Sequence, residues 1–108
     1  MTLQDDIEQT HYHFCLFVND NEFNSKQAQL NLEHICQTYL AGRYQIEIID
    51  VAQDIQRALE QGVLVTPLLK IHSPHNQYTI IGNLSDVNKI LTLLGFSEEA
   101  FHVGHQVK

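Results

Sequence analysis

Cysteine is scarce in this 108-residue chain, and its two cysteines, Cys15 and Cys36, stand alone within apolar segments. No Cys-x-x-Cys pair occurs, so the chain lacks the dithiol on which redox proteins of this size depend. Two isolated cysteines in an ordinary core indicate reduced, buried thiols rather than a disulfide framework. This pattern predicts a cytoplasmic protein and favours binding over redox catalysis.

Basic residues are also few: six Lys and Arg stand against thirteen Asp and Glu, for a net charge of −7. A negative field repels phosphate, so nucleic acids and anionic membranes are poor partners, whereas a basic patch on another protein is a suitable one. No apolar run approaches the ~20 residues of a membrane span. The polar, acidic residues 1–6 do not have the pattern of a signal peptide.

The residue sets that carry catalysis are missing as well. There is no Gly-rich phosphate loop, no Ser-His-Asp order and no evident pair of catalytic carboxylates, so we expect neither an enzyme nor a bound cofactor. Seven histidines invite a metal interpretation, but the pairs His72/His75 and His102/His105 have no Cys or carboxylate at ligand spacing. Surface histidines are the favoured interpretation, and no metal site is predicted.

Apolar patterning predicts one α/β domain over residues 11–96, with a flexible N-terminus at 1–10 and a C-terminal tail at 97–108. The predicted strands cover residues 12–18, 44–51, 67–72 and 78–81, and the predicted helices cover about 25–41, 52–61 and 86–94. The order is β-α-β-α-β-β-α, in which a right-handed crossover makes the first two strands parallel and a hairpin closes the sheet. This is a thioredoxin-like topology.

The helices have identifiable ends and faces. Asn24 and Ser25 suit the N-cap of the first helix, whose apolar stripe consists of Ala28, Leu32, Ile35, Cys36 and Tyr39. Leu30 lies off that stripe and is expected to be exposed. In the second helix, Ile55, Ala58 and Leu59 share one side, and Ser85 or Asp86 caps the third.

Five segments, at matching spacing, resemble the circadian clock protein KaiB family. They are Leu16-Phe17-Val18, Asn24-Ser25, Ile49-Asp50-Val51, Val65-Thr66-Pro67-Leu68-Leu69 and Ile80-Ile81-Gly82-Asn83-Leu84-Ser85-Asp86. The resemblance runs from about Tyr12 to Phe96. It departs from the family pattern where Asn83 replaces an Asp, where Tyr78 and Thr79 replace basic residues, and where Ile55 replaces a proline. These departures favour a homologue outside the core cyanobacterial clock.

The resemblance implies a non-enzymatic regulator that binds a KaiC-like ATPase and autokinase and modulates its phosphorylation cycle, in circadian timing or stress adaptation. It implies Asn24, Ser25 and Lys26 as partner-binding candidates. It also implies two folds: a thioredoxin-like form that binds, and a resting homodimer or homotetramer in β-α-β-β-α-α-β order. Pro67, Gly82 and Asn83 are the fold-switch candidates. Helix in place of the 67–81 hairpin would identify the resting form.

Two other functions stay open at this stage. A thioredoxin-like oxidoreductase or glutathione-binding enzyme would need a thiol or serine in the first loop, where Ser25 is the only candidate. A purely structural oligomer would use an exposed patch that contains Leu30 and Tyr78.

Overall fold

In a computed structural model, which describes residues 11–96, seven elements follow one another in the predicted order. They are β1 (Tyr12–Val18), α1 (Phe23–Tyr39), β2 (Tyr44–Asp50), α2 (Ile55–Glu60), β3 (Leu68–His72), β4 (Gln77–Ile81) and α3 (Val87–Leu93). A β3–β4 hairpin occupies the segment that distinguishes the two expected folds, so this is the thioredoxin-like form. The predicted terminal segments 1–10 and 97–108 lie outside the described residues.

The four strands form one mixed sheet in the order β2-β1-β3-β4. β1 runs parallel to β2 and antiparallel to β3, and β3 pairs antiparallel with β4. The central position of β1 explains its nearly continuous apolar sequence, because both of its faces are covered. Phe14, Leu16 and Phe17 are completely buried.

Two apolar clusters flank the sheet. The larger cluster joins the sheet to α1 and α3 and includes Tyr12. The Tyr12 hydroxyl donates a buried hydrogen bond of 3.1 Å to the Leu94 carbonyl. The smaller joins the opposite sheet face to α2 and contains Cys15, Phe17, Ile49, Ala58, Val63 and Leu68. The core is therefore built from two unequal layers on one sheet. Within residues 11–96, no helix combines the length and apolarity needed to cross a bilayer.

The first helix confirms the predicted stripe but not its predicted start. Ala28, Leu32, Ile35 and Cys36 are buried, and Leu30 is 64% exposed as expected. Tyr39, assigned to the stripe, is exposed and packs edge-on against Phe96. The helix begins at Phe23, with Glu22 at the N-cap and no side-chain cap hydrogen bond, so the prediction of a cap at Asn24-Ser25 is wrong.

The second helix is shorter than predicted. Of its three apolar residues only Ala58 is buried, whereas Ile55 and Leu59 are 59% and 67% exposed. A six-residue helix offers about one inward position per turn, so its remaining apolar side chains face solvent. The predicted cap of α3 is confirmed at Asp86, whose carboxylate accepts a hydrogen bond of 3.1 Å from the Lys89 amide.

Candidate functional surface

The β1–α1 loop and the segment before β3 meet at one carboxylate. Glu22 Oε1 accepts a 2.8 Å hydrogen bond from Ser25 Oγ and a 2.9 Å hydrogen bond from Thr66 Oγ1. The Asn19 amide in turn donates to Ser25 Oγ at 3.1 Å. A single network therefore ties the loop that precedes α1 to a segment that is remote in sequence.

The three partner-binding candidates do not share one environment. Asn24 and Lys26 are exposed in the first turn of α1, whereas Ser25 is 2% exposed. Ser25 donates its hydroxyl hydrogen to Glu22, and no histidine is among its hydrogen-bond partners in the part of the chain that the structure describes. The arrangement makes Ser25 a support for the loop and gives it no base that would activate a nucleophile.

Large apolar side chains are exposed on both sides of this network. Phe23, next to Glu22, is 73% exposed; Leu64 is 88% and Val65, next to Thr66, is 47% exposed. Leu64 and Val65 line a small open depression together with Val51, Val63 and Thr66. We call the exposed set Phe23, Asn24, Lys26, Leu64 and Val65 the loop surface. Sequence reasoning missed its apolar part, although a phenylalanine within the polar run 19–26 was a usable signal.

The fold-switch candidates adjoin the same segment. The Thr66–Pro67 peptide bond is cis, and the buried Pro67 accepts a backbone hydrogen bond of 3.0 Å from the Gly82 amide. Gly82 has φ +119° and Leu84 has φ 64°, so the chain leaves β4 through two residues in conformations that side chains disfavour. The structure thus brings Pro67 and Gly82 into direct contact.

Asn83 is held on two sides. Its carbonyl accepts a 2.8 Å hydrogen bond from the Asn31 side chain on α1, and its own Oδ1 accepts one of 3.1 Å from the Ser85 amide. Both roles are acceptor roles. The loop between β4 and α3 is therefore attached to α1 through this residue.

The two thiols are poor nucleophiles. Burial raises the pKa of Cys36 to about 12. Burial, followed by the neighbouring Glu47 carboxylate, raises the pKa of Cys15. Both cysteines are free and buried, as the sequence predicts. In addition, no group of three Cys, His, Asp or Glu side chains within residues 11–96 is placed to hold a metal ion.

Comparisons with known proteins agree on a family and a fold. The KaiB domain model matches residues 15–96. KaiB3 of Synechocystis sp. is 39% identical over 88 residues, which are 82% of this chain and 86% of that protein. The oscillator protein KaiB of Picosynechococcus sp. is 39% identical over 90 residues, 83% and 86% of the two chains.

Solved structures show the fold alone. The N-terminal domain of Synechococcus elongatus SasA superposes with a TM-score of 0.66 at 24% identity, over 82% of this chain and 87% of that one. Chloroplastic thioredoxin z superposes with a TM-score of 0.70 at 15% identity, over 85% of each chain. The thioredoxin-like topology expected from the sequence is thereby confirmed.

Proposed function

Since this chain belongs to the KaiB family, we propose that it is a non-enzymatic, cytoplasmic regulator that binds a KaiC-type ATPase and autokinase and modulates its phosphorylation cycle. The cycle serves circadian timing or stress adaptation. The observation that carries the binding role is the loop surface, where Phe23 and Leu64 are 73% and 88% exposed.

Exposed apolar side chains of this size are typical of protein-binding sites when they cluster. Phe23 and Val65 adjoin the two residues, Glu22 and Thr66, that the 2.9 Å hydrogen bond joins. This bond fixes the two loops relative to one another before a partner arrives, which reduces the ordering cost of association.

The candidates from the sequence take different roles on this surface. Asn24 and Lys26 are exposed at its rim and are proposed to contact the partner, with Lys26 supplying a positive charge on an acidic protein. Ser25 is buried and is proposed to act indirectly, by holding Glu22 and the loop. Rim contacts of this kind tune association rates and selectivity more than affinity.

We further propose that Pro67, Gly82 and Asn83 are the positions at which the second half of the chain rearranges into a resting homodimer or homotetramer. The Gly82–Pro67 hydrogen bond and the Asn31–Asn83 hydrogen bond support this proposal, because both hold the hairpin in its present place. Their loss would release β4 and the following loop together.

The test is association of the untagged full chain with the KaiC-type protein encoded in the same genome, after prolonged incubation. We expect saturable binding and an altered ratio of phosphorylated to unphosphorylated ATPase. Phe23→Ser and Leu64→Ser should each weaken binding at least tenfold, or by ~1.4 kcal/mol. Leu30→Ser is the matched control, because Leu30 is also an exposed apolar residue but lies outside the loop surface.

Absence of binding after prolonged incubation would contradict the proposed function. If Leu30→Ser lost affinity as strongly as Phe23→Ser, binding would stand but the loop surface would be wrong. A purely structural oligomer would self-associate through Leu30 without binding the ATPase. Circular dichroism on every variant establishes that the fold is retained.

A further inference from the structure

Two histidines that are distant in sequence face each other across the sheet. His13 on β1 is the direct register partner of His72 on β3. Their ring centroids lie 6.2 Å apart, with an angle of 40° between the planes. Spacing along the sequence could not indicate this pair, because it depends on the antiparallel register of the two strands.

The pair occupies an open part of the sheet. His13, Cys15 and Phe17 alternate onto the face that α2 covers, and α2 reaches Cys15 through Arg57. His13 lies beyond that cover, with 48% of its side chain exposed, and His72 is half-buried beside it. Water and ions can therefore reach both imidazole rings.

The ring separation is about 1 Å wider than a chelate of two imidazoles requires. Two imidazoles bound to one tetrahedral ion, with metal–nitrogen distances of about 2.0–2.1 Å, have centroids roughly 5 Å apart. Rotation about the side-chain torsions would have to close the difference from 6.2 Å, while strand pairing fixes both Cα atoms. Imidazole is a ligand that suits zinc, copper and nickel.

One carboxylate and two basic side chains lie around the pair. Glu47 Oε1 lies 4.0 Å from His13 Nε2, beyond hydrogen-bond distance, and accepts a hydrogen bond from Arg57. The nearby cations point elsewhere: Arg57 donates to both Glu47 oxygens, and Lys70 Nζ binds the Gln61 carbonyl at 2.7 Å. Both basic groups are thus engaged by other partners.

We propose that His13 and His72 form a two-histidine site for Zn²⁺ or Cu²⁺, with water molecules in the remaining coordination positions. The ion bridges β1 and β3, so it binds only while these strands are paired in this register. Binding therefore stabilises this arrangement of the chain by mass action. The site is separate from the loop surface and does not depend on the proposed function.

The test uses the full chain without a polyhistidine tag. Zn²⁺ titration by calorimetry should show a saturable site, and Cu²⁺ should broaden the amide NMR signals around His13 and His72 first. His13→Asn and His72→Asn should each reduce Zn²⁺ affinity at least tenfold. Saturating Zn²⁺ should raise the thermal midpoint of the wild-type chain and should not raise that of either variant.

Three control variants test whether side chains outside the pair act as metal ligands. His34→Asn and His75→Asn remove exposed histidines outside the pair and should retain wild-type affinity. Cys15→Ser tests the thiol on the same strand and should also retain it. Wild-type affinity in both His13→Asn and His72→Asn, or loss of affinity in Cys15→Ser alone, would overturn the proposal. Broadening centred on His102 and His105 would overturn it equally.

Discussion

The guanidinium of Arg57 donates hydrogen bonds of 2.6 and 2.8 Å to the two carboxylate oxygens of Glu47, which joins α2 to β2. This contact is a polar attachment for a helix that buries little apolar area, since Ala58 is the only buried residue within it. A bidentate pair is the strongest geometry that an ion pair of this kind adopts. Glu47 and Arg57 are nevertheless 40% and 38% exposed, so solvent screens their attraction.

The ion pair predicts a pH dependence of stability. Hydrogen bonds from Arg57 hold the pKa of Glu47 below its ordinary value of 4.5. A lowered pKa in the folded state stabilises the protein above pH 4.5, and this contribution disappears as the pH falls through the folded-state pKa. Arg57→Ala should therefore lower the free energy of unfolding at pH 7, and the difference from wild type should shrink towards pH 3.

Urea unfolding at pH 7, 5 and 3 measures this difference. Lys89→Ala is the control, since it removes an exposed basic residue on α3. It should change stability little at each pH. A wild-type advantage over Arg57→Ala that stayed constant down to pH 3 would show that packing, rather than the charge of Glu47, is responsible.

The Glu22 network predicts coupling between two loops. Thr66→Val removes the hydroxyl that donates to Glu22 and keeps the shape of the side chain, so it should cost about 1 kcal/mol. Ser25→Ala should cost about 1–3 kcal/mol, because it leaves the Asn19 amide without an acceptor. Since both hydroxyls bind the same Glu22 oxygen, the double variant should deviate from additivity by about 0.5 kcal/mol or more. Strict additivity in chemical denaturation would argue against a shared network.

Gly82 predicts a backbone effect. A Cβ added there would meet no atom within 4 Å, so Gly82→Ala introduces no steric overlap with neighbouring residues. Its φ of +119° is nevertheless costly for any residue with a side chain, and we expect a loss of about 1–3 kcal/mol. Ser85→Ala, three residues later in an exposed position, should stay within about 0.5 kcal/mol. Equal stability of Gly82→Ala and wild type, in urea unfolding, would contradict this account.

The contacts of Asn83 predict that an aspartate, which the family pattern has at this position, is tolerated there. Its Oδ1 only accepts a hydrogen bond, from the Ser85 amide, and a carboxylate accepts equally well. Asn83→Asp should therefore change the free energy of unfolding by no more than about 0.5 kcal/mol. Asn31→Ala is the contrasting variant and should cost about 1 kcal/mol, because it removes the donor to the Asn83 carbonyl. A large loss in Asn83→Asp would show that the side-chain amide is needed.

The burial of the two thiols predicts that they react slowly with disulfide reagents. With the pKa of Cys36 raised to about 12 and that of Cys15 raised as well, neither thiol forms appreciable thiolate near pH 8. A disulfide reagent should react slowly with the folded chain and rapidly with both thiols in denaturant. The variants Cys15→Ser and Cys36→Ser show which thiol accounts for each part of the reaction of the folded chain. Rapid reaction of the folded protein, or insulin reduction above background, would favour the oxidoreductase alternative.

Much of the fold could be predicted from local pattern, because each strand and the α1 stripe have a periodicity that neighbouring residues reveal. Errors arose where tertiary contacts replaced local ones. Ser25 suits an N-cap by type, yet its hydroxyl is engaged by Asn19 and Glu22 inside the structure. Ile55 and Leu59 suit a buried helix face by type. The short helix α2 nevertheless turns only Ala58 towards the sheet, and both residues stay exposed.

The functional surface was harder to predict than the fold. The candidates Asn24 and Lys26 could be named from the family resemblance, but the apolar side chains beside them depend on where residues 64–66 return to the first loop. That return follows from the pairing of β3 with β1 and brings Thr66 to Glu22, two residues that are distant in sequence. The His13–His72 pair has the same origin, since register is a property of paired strands.

The buried hydrogen bond from Tyr12 to the Leu94 carbonyl has a consequence for biosynthesis. Tyr12 and Leu94 belong to the same apolar cluster, which also contains Ile90 and Leu91 of α3. A ribosome releases β1 long before α3, so the larger cluster cannot close until nearly all of residues 11–96 have left the exit tunnel. Completion of this domain is therefore expected after translation of α3, and chaperones would encounter β1 with one face still uncovered.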